Sequence, residues 1–467
     1  MARGREQLSA GTTALESDPG GIPVHRICCV VLVGLLGVAC VSYRPVNQPI
    51  DALSAPGDYS PGTGGNREVG DTWMVLAFSG GGTRAAAFAF GVLEELRDTQ
   101  ITTGDGTMRL LDEVDTISGV SGGSFPAAYF GLFGDRIFED FDVRFLKKNV
   151  QGALIRRALI PWNAIALLTP ALSRSDLASR YYAKHVFDGA TFGDMSATTG
   201  PRIHINATDL TEGTRFTFSR GSFDVICSDF YGFPVSRAVA ASSAVPGLLS
   251  PLTLRNYAGR CGFEVPAWFE AALETRWTDP RRYRAATTAL PYLDSDRKRY
   301  IHLVDGGVSD NLGLRVVMDR VRAMGDVEKM REIIEADVPD HIVVVVVNAE
   351  TEPDPAIGLT AAAPGLAASM NLVSGAQIRR YNFETLQLAH AEVENWVETF
   401  QEAGHTVTGH LVEVSFDLIQ DDEKRAYFKG LPTSFSLSEQ EVDALREAGR
   451  RLLRESRAFQ ETLEVLR

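Results

Sequence analysis

Ile117-Ser118-Gly119-Val120-Ser121-Gly122-Gly123-Ser124 follows an apolar stretch closed by Val114. It holds a G-x-S-x-G pentapeptide at a predicted strand end, which places Ser121 on a sharp turn with its hydroxyl presented to a reactant. Such an elbow forces the serine into a strained backbone conformation, and the residues two away must lack side chains, as Gly119 and Gly123 do. Alone, the pentapeptide fits an ordinary strand-to-helix turn equally well. The chemistry around it decides between the two.

Upstream, Trp73 to Phe78 reads as a buried strand, Ser79-Gly80-Gly81-Gly82-Thr83-Arg84 as a tight turn, and Ala85 to Arg97 as a helix with Phe88, Val92 and Leu96 at helical spacing. The elbow unit repeats this pattern: strand Val114 to Ile117, turn, helix Phe125 to Phe133. Further strands are predicted at His204 to Thr208, Thr214 to Phe218, Tyr300 to Val304 and Ile342 to Val347. The last is an unbroken β-branched run, which belongs in a parallel sheet covered on both faces. Alternating strands and helices predict an α/β layered fold with a mostly parallel central sheet flanked by helices. Ser438 and Glu441 form a capping box for a helix from Glu439 to Ser456. No internal repeat is present. Residues 71–467 are expected to form one domain, with an insertion at 255–299 and a helical and strand extension at the C-terminal end.

Two further blocks bear on the serine. Gly80-Gly81-Gly82 lies between a strand and a helix N-terminus, where backbone N–H groups can converge on a negative oxygen and the helix dipole favours that charge. A phosphate cradle is the rival reading, but the lysine of a P-loop is missing and no ribose-binding acid is evident. An oxyanion hole suits acyl transfer. In His302-Leu303-Val304-Asp305-Gly306-Gly307-Val308-Ser309-Asp310-Asn311, an aspartate ends a buried strand and so points toward the crevice where α/β enzymes hold ligands. An Asp-Gly turn is the alternative for that block taken singly. None of the eight histidines sits in a comparable motif, so direct activation of Ser121 by a carboxylate is a simpler reading than a Ser-His-Asp relay.

With these three blocks in this order, the chain resembles the patatin-like phospholipases, which use a Ser-Asp dyad on a three-layer α/β fold. Supporting similarity lies in Asn206-Ala207-Thr208-Asp209 and in Ser236 to Gly247, and the likeness covers roughly Trp73 to Gly313. Ala85 departs from it, since many members have glycine after the basic residue. The resemblance implies Ser121 as nucleophile and Asp305 as general base. It implies an oxyanion hole at Gly80, Gly81 and Gly82, with Arg84 supporting that loop or contacting a phosphate. Gly119, Gly122, Gly123, Gly306 and Gly307 would be supporting residues. The implied activity is hydrolysis of carboxylic ester bonds in phospholipid or another acyl-ester lipid through an acyl-enzyme, with no cofactor and no metal. A Ser-His-Asp esterase and a lipid-binding protein without turnover are the alternatives.

The 467 residues, 45% of them hydrophobic, supply an ample core, and a net charge of -14 without a long basic run excludes tracking of a nucleic-acid backbone. At the N-terminal end, His25-Arg26 precedes the short apolar run Ile27 to Ala39 and then Cys40. A positive flank, a short apolar core and a small residue before cysteine read as a secretory signal rather than a span of about 20 residues. Val38-Ala39-Cys40 resembles a bacterial lipobox, with Gly37 departing from the usual leucine; a plain signal peptide or an uncleaved anchor is the alternative. The expected organisation is a leader at 1–40, lipidated at Cys40, and a flexible tether at 41–70. The leader is long, which leads to the expectation that translation begins at Val24. The protein is accordingly expected in the cell envelope, anchored to a membrane. Of five cysteines, only Cys227 and Cys261 fall in the folded part; they could form a disulfide or remain two buried thiols.

Between Phe145 and Leu172, basic residues (Lys147, Lys148, Arg156, Arg157) alternate with apolar ones (Leu159, Ile160, Trp162, Ile165, Leu167, Leu168). The stretch reads as a packed helix pair beside the site or as an interfacial segment lying on a membrane surface. The 255–299 insertion, with Trp268 and Trp277, is a candidate lid.

Overall fold

The computed structural model describes residues 45–53, 69–103, 106–169, 172–324 and 338–466. The leader, Cys40, the Val24 start and most of the tether lie outside the described residues.

Eight strands form the central sheet: β1 (Thr72–Phe78), β2 (Val114–Val120), β3 (Arg202–Asp209), β4 (Thr214–Phe218), β5 (Leu252–Arg255), β6 (Tyr300–Asp305), β7 (His341–Asn348) and β8 (Thr408–Ser415). Their order is β8-β7-β1-β2-β3-β6-β5, with β4 paired to β3. The run from β8 to β3 is parallel, and β4, β5 and β6 pair antiparallel. β1 is buried at all seven positions because it has hydrogen-bonded neighbours on both edges and helices over both faces.

Alternation along β1 divides the core in two. Met74, Leu76 and Phe78 face one layer, which includes α1 (Gly82–Asp98), α2 (Ser124–Phe133) and the later α6 (Val235–Ser242). Between α2 and α6 lie α3 (Val150–Ala158), α4 (Pro161–Ala166) and α5 (Arg174–His185). Trp73, Val75 and Ala77 face the opposite layer. The insertion carries α7 (Ala267–Leu273) and α8 (Pro280–Ala289), and that second layer is built from α9 (Arg315–Met324) and the 37-residue α10 (Leu366–Glu402), with Val317, Val321, Val393 and Trp396 inward. Finally, α11 (Glu439–Glu455) starts at the capping box, where Ser438 and Glu441 each accept the other's backbone N–H. It lies along α1, with Arg446 bound to Glu94 and Arg454 to Glu95.

The fold is thus mixed α/β, with a mostly parallel sheet flanked by helices. Three of the boundaries that differ from the sequence expectation lie at the site. β2 continues through Ser118-Gly119-Val120, because β3 supplies ladder partners that outweigh the weak strand preference of glycine and serine. β6 takes in Asp305, which pairs with Ala207. α1 begins at Gly82, so the last glycine of the turn already belongs to the helix.

Candidate active site

Ser121 directly follows β2 and has φ +49°, a left-handed conformation that a residue with a side chain rarely adopts. What holds it there is a relay of short bonds. Its amide donates to Ser242 Oγ (2.8 Å), and that hydroxyl donates to the Asn206 carbonyl (2.6 Å). Ser124 Oγ donates to the Ser121 carbonyl at 2.5 Å. Gly122 is one of several sterically required glycines here: a Cβ on it would lie 2.0 Å from the Gly82 carbonyl oxygen. The elbow and the glycine turn therefore touch backbone to backbone.

Asp305 reaches the same place from β6. On β3, Asn206 pairs with Val120 and the next residue, Ala207, pairs with Asp305. One strand therefore sets the positions of both candidates. Ser121 Oγ donates to Asp305 Oδ2 at 2.7 Å, and the Gly307 amide donates to Oδ1 at 2.8 Å. The Asp305 amide is bonded to Ala244 and its carbonyl to Thr208 Oγ1, so the carboxylate has little freedom to turn away. Burial pushes the Asp305 carboxyl up to about 6, opposed by the hydrogen bonds from Ser121 and Gly307. Among the described residues, no histidine hydrogen-bonds to either member of the pair. His185, His302 and His341 meet Arg157, Thr253 and Thr408 instead.

The glycine turn separates into groups with different roles. The Gly80 amide donates to the Asn311 carbonyl at 3.0 Å. That donor is spent, which corrects the expectation that Gly80 belongs to the oxyanion hole. The amides of Gly81 and Gly82 meet no acceptor among the described residues and lie at the N-terminal end of the 17-residue α1, where the helix dipole favours a negative charge. Of the two roles expected for Arg84, the structure shows support of the loop. Its guanidinium is buried and donates to the carbonyls of Ala349 (3.0 Å) and Leu431 (2.7 Å) and to Thr433 Oγ1 (3.1 Å). Burial lowers it to about 10. It pins the turn to the end of β7 and the 431–433 segment, and no phosphate can reach it.

Ser121, Asp305, Gly81, Gly82, Gly119, Gly122, Gly123, Gly306 and Gly307 converge at one end of the sheet. Cys227 and Cys261 lie apart from it and are joined, with Cα atoms 5.4 Å apart. The 255–299 insertion has a small core of its own around Phe269, Ala272 and Ala286. It is fastened by Lys298 and Tyr292 to Asp209 and by Asp279 to Arg322. These anchors hold it against α9 and the end of β3.

Three contributors were not legible as such. Asn206 and Ser242 lie in blocks that carry the family likeness, but only the fold reveals that they buttress Ser121. Asn206 also donates to Ser118 Oγ and accepts from Thr217 Oγ1, completing a buried network. Ser434 accepts the Thr83 amide (2.8 Å) and packs on Gly82 from far along the chain, with no motif around it.

The arrangement defines a class first: an α/β protein with a buried serine-carboxylate pair at the sheet end, beside the N-terminus of a helix. Residues 76–318 match the model of the patatin-like phospholipase family, more than half of the chain, and the chain belongs to that family. Among solved structures, it is similar to human GIVD cytosolic phospholipase A2 (12% identity, TM-score 0.35, covering 64% of this chain and 50% of that one). It is also similar to the same human enzyme in complex with methyl gamma-linolenyl fluorophosphonate (12% identity, TM-score 0.39, covering 85% and 59%). The chain thus spans between half and three fifths of those chains' length. No curated protein matches it.

Proposed function

We propose that this protein is a lipid acyl hydrolase in which Ser121 attacks an ester carbonyl and Asp305 alone is the base. The observation that carries this reading is the 2.7 Å hydrogen bond from Ser121 Oγ to a buried carboxylate. A carboxyl at about 6 is ionised at neutral pH yet more basic than an ordinary aspartate, which suits general-base work.

Asp305 Oδ2 takes the hydroxyl proton as Oγ bonds to the carbonyl carbon, and the carbonyl electron pair moves onto oxygen. The Gly81 and Gly82 amides meet that oxyanion. Each such preorganised donor is worth roughly 3 kcal/mol in other acyl-transfer sites. Collapse re-forms the carbonyl and expels the alcohol, which leaves with the proton from Asp305. Water then gives its proton to Asp305, adds to the acyl carbon, and displaces Ser121, which recovers the proton as the fatty acid departs.

Export and membrane attachment through Cys40 form part of the same proposal. They are supported by the lipobox-like Val38-Ala39-Cys40 and by the Cys227–Cys261 bond, which suits an oxidising compartment. Incorporation of labelled palmitate should disappear in Cys40→Ala; persistence would refute the anchor. The hydrolase reading is tested by fatty-acid release from phospholipid and from short-chain esters. Ser121→Ala and Asp305→Ala should each lose about 1,000-fold or more. Full activity in Ser121→Ala would end the assignment.

A further inference from the structure

α4 and the turns on either side of it expose an apolar ridge in a strongly basic stretch of an acidic protein. Leu159 and Trp162 are each 73% exposed, Ile165 66% and Leu168 65%. They recur every third residue, and among the described residues nothing covers them. Residues 143–187 carry eight Lys and Arg against one carboxylate, Asp176, although the whole chain has a net charge of -14. Lys148, Arg156, Arg180 and Lys184 meet no carboxylate among the described residues, whereas most basic groups elsewhere are paired. A packed helix pair would bury these apolar side chains, so the structure departs from that expectation.

The ridge is coupled to the site at both ends. The Gln151 amide, in the first turn of α3, donates to the Phe435 carbonyl (3.1 Å), next to the Ser434 that packs on Gly82. At the other end, Arg174 opens α5 and donates to the Gly247 carbonyl (2.6 Å). That loop begins at Ala244, whose carbonyl accepts the Asp305 amide. The stretch therefore spans from the glycine turn to the aspartate.

We propose that Leu159, Trp162, Ile165 and Leu168 insert into the headgroup region of an anionic bilayer, with Lys148, Arg156, Arg180 and Lys184 held over its surface, so that the Ser121 site faces lipid. The proposal rests on the lipid hydrolase reading and names the surface that such an enzyme presents to its substrate. Tryptophan and aliphatic side chains beside uncompensated cations match the boundary between headgroups and acyl chains. A second copy docking through the same face would set these cations against one another, which disfavours a symmetric dimer there. No helix among the described residues is long and apolar enough to cross a membrane.

The test uses the full chain with vesicles of phosphatidylglycerol or of phosphatidylcholine, each with brominated acyl chains that quench a tryptophan entering the bilayer. Phosphatidylglycerol should quench the emission, and Trp162→Phe should abolish most of that quenching whether or not Cys40 also tethers the protein. Lys148→Glu with Arg156→Glu should weaken the Trp162-dependent quenching about ten-fold or more, while turnover of a soluble short-chain ester stays unchanged. Equal quenching of wild type and Trp162→Phe overturns the proposal, as does equal quenching by phosphatidylcholine. Lipid-free self-association that Trp162→Glu removes would also overturn it, in favour of a contact between copies. If no ester is hydrolysed at all, the hydrolase reading fails while the quenching still decides the docking.

Discussion

Asp305 stands opposite Ala207 in an antiparallel ladder, one position beyond Asn206, which pairs with Val120 in a parallel one. β3 changes partner at that point, and the two strand ends that meet there carry Ser121 and Asp305. The spacing of the pair is therefore set by sheet register rather than by loops. Elements of a sheet hold reacting groups more tightly than loops do.

On the proposed mechanism, the Asp305 carboxyl raised to about 6 sets the pH dependence of activity. Asp305 has to be ionised to take a proton, so kcat/KM on a soluble ester should climb with pH, with a midpoint near 6, and then level off. A midpoint at about 4, that of an unperturbed aspartate, would contradict this. Stability moves the other way. The folded value exceeds the unfolded one, so this group's contribution is full below about pH 4 and is lost as pH rises through 6. Asp305→Asn should raise unfolding stability above pH 6 by up to about 3 kcal/mol and leave it unchanged near pH 4, as denaturant titrations at both pH values would reveal.

Ser242 supports the elbow without reaching substrate. Ser242→Ala leaves the buried Ser121 amide without its acceptor, at a cost of about 1–3 kcal/mol. The strained φ of Ser121 should relax, lowering kcat while KM stays near its wild-type value.

Arg84→Met strips three acceptors of their donor at once and should destabilise the fold by about 3 kcal/mol or more, measured by urea unfolding. A phosphate-binding arginine would behave differently, raising KM for phospholipid with stability intact.

Gly122→Ala drives a methyl group into the Gly82 carbonyl. Backbone on both sides of the contact must shift, which moves the proposed oxyanion donors Gly81 and Gly82 away from Ser121. Activity should fall about 100-fold or more, while far-ultraviolet circular dichroism remains that of a folded α/β protein.

Six of the eight strands of the central sheet and the three motif blocks were legible because each depends on local pattern: β-branched runs, glycines at turns, and an acid at a strand end; β5 and β8 were not read as strands. Gly80 was misassigned, and Arg84 stood open between loop support and phosphate contact, because their partners, Asn311, Ala349, Leu431 and Thr433, arrive from distant segments that no local signal connects to the turn. Ser434 was invisible for the same reason. The 145–172 stretch had two readings in the sequence, since basic and apolar residues at helical spacing look alike buried or exposed. In the structure Phe145, Val150 and Ala153 join the core, whereas Leu159, Trp162, Ile165 and Leu168 are exposed.

The most direct test of the two-residue mechanism is covalent trapping with an alkyl fluorophosphonate followed by peptide mass spectrometry. The adduct should fall on Ser121, form at least about 100-fold more slowly in Asp305→Asn, and form at the wild-type rate when each histidine in turn is replaced. An adduct on another residue, or a single histidine variant that abolishes labelling in a folded protein, would contradict the account.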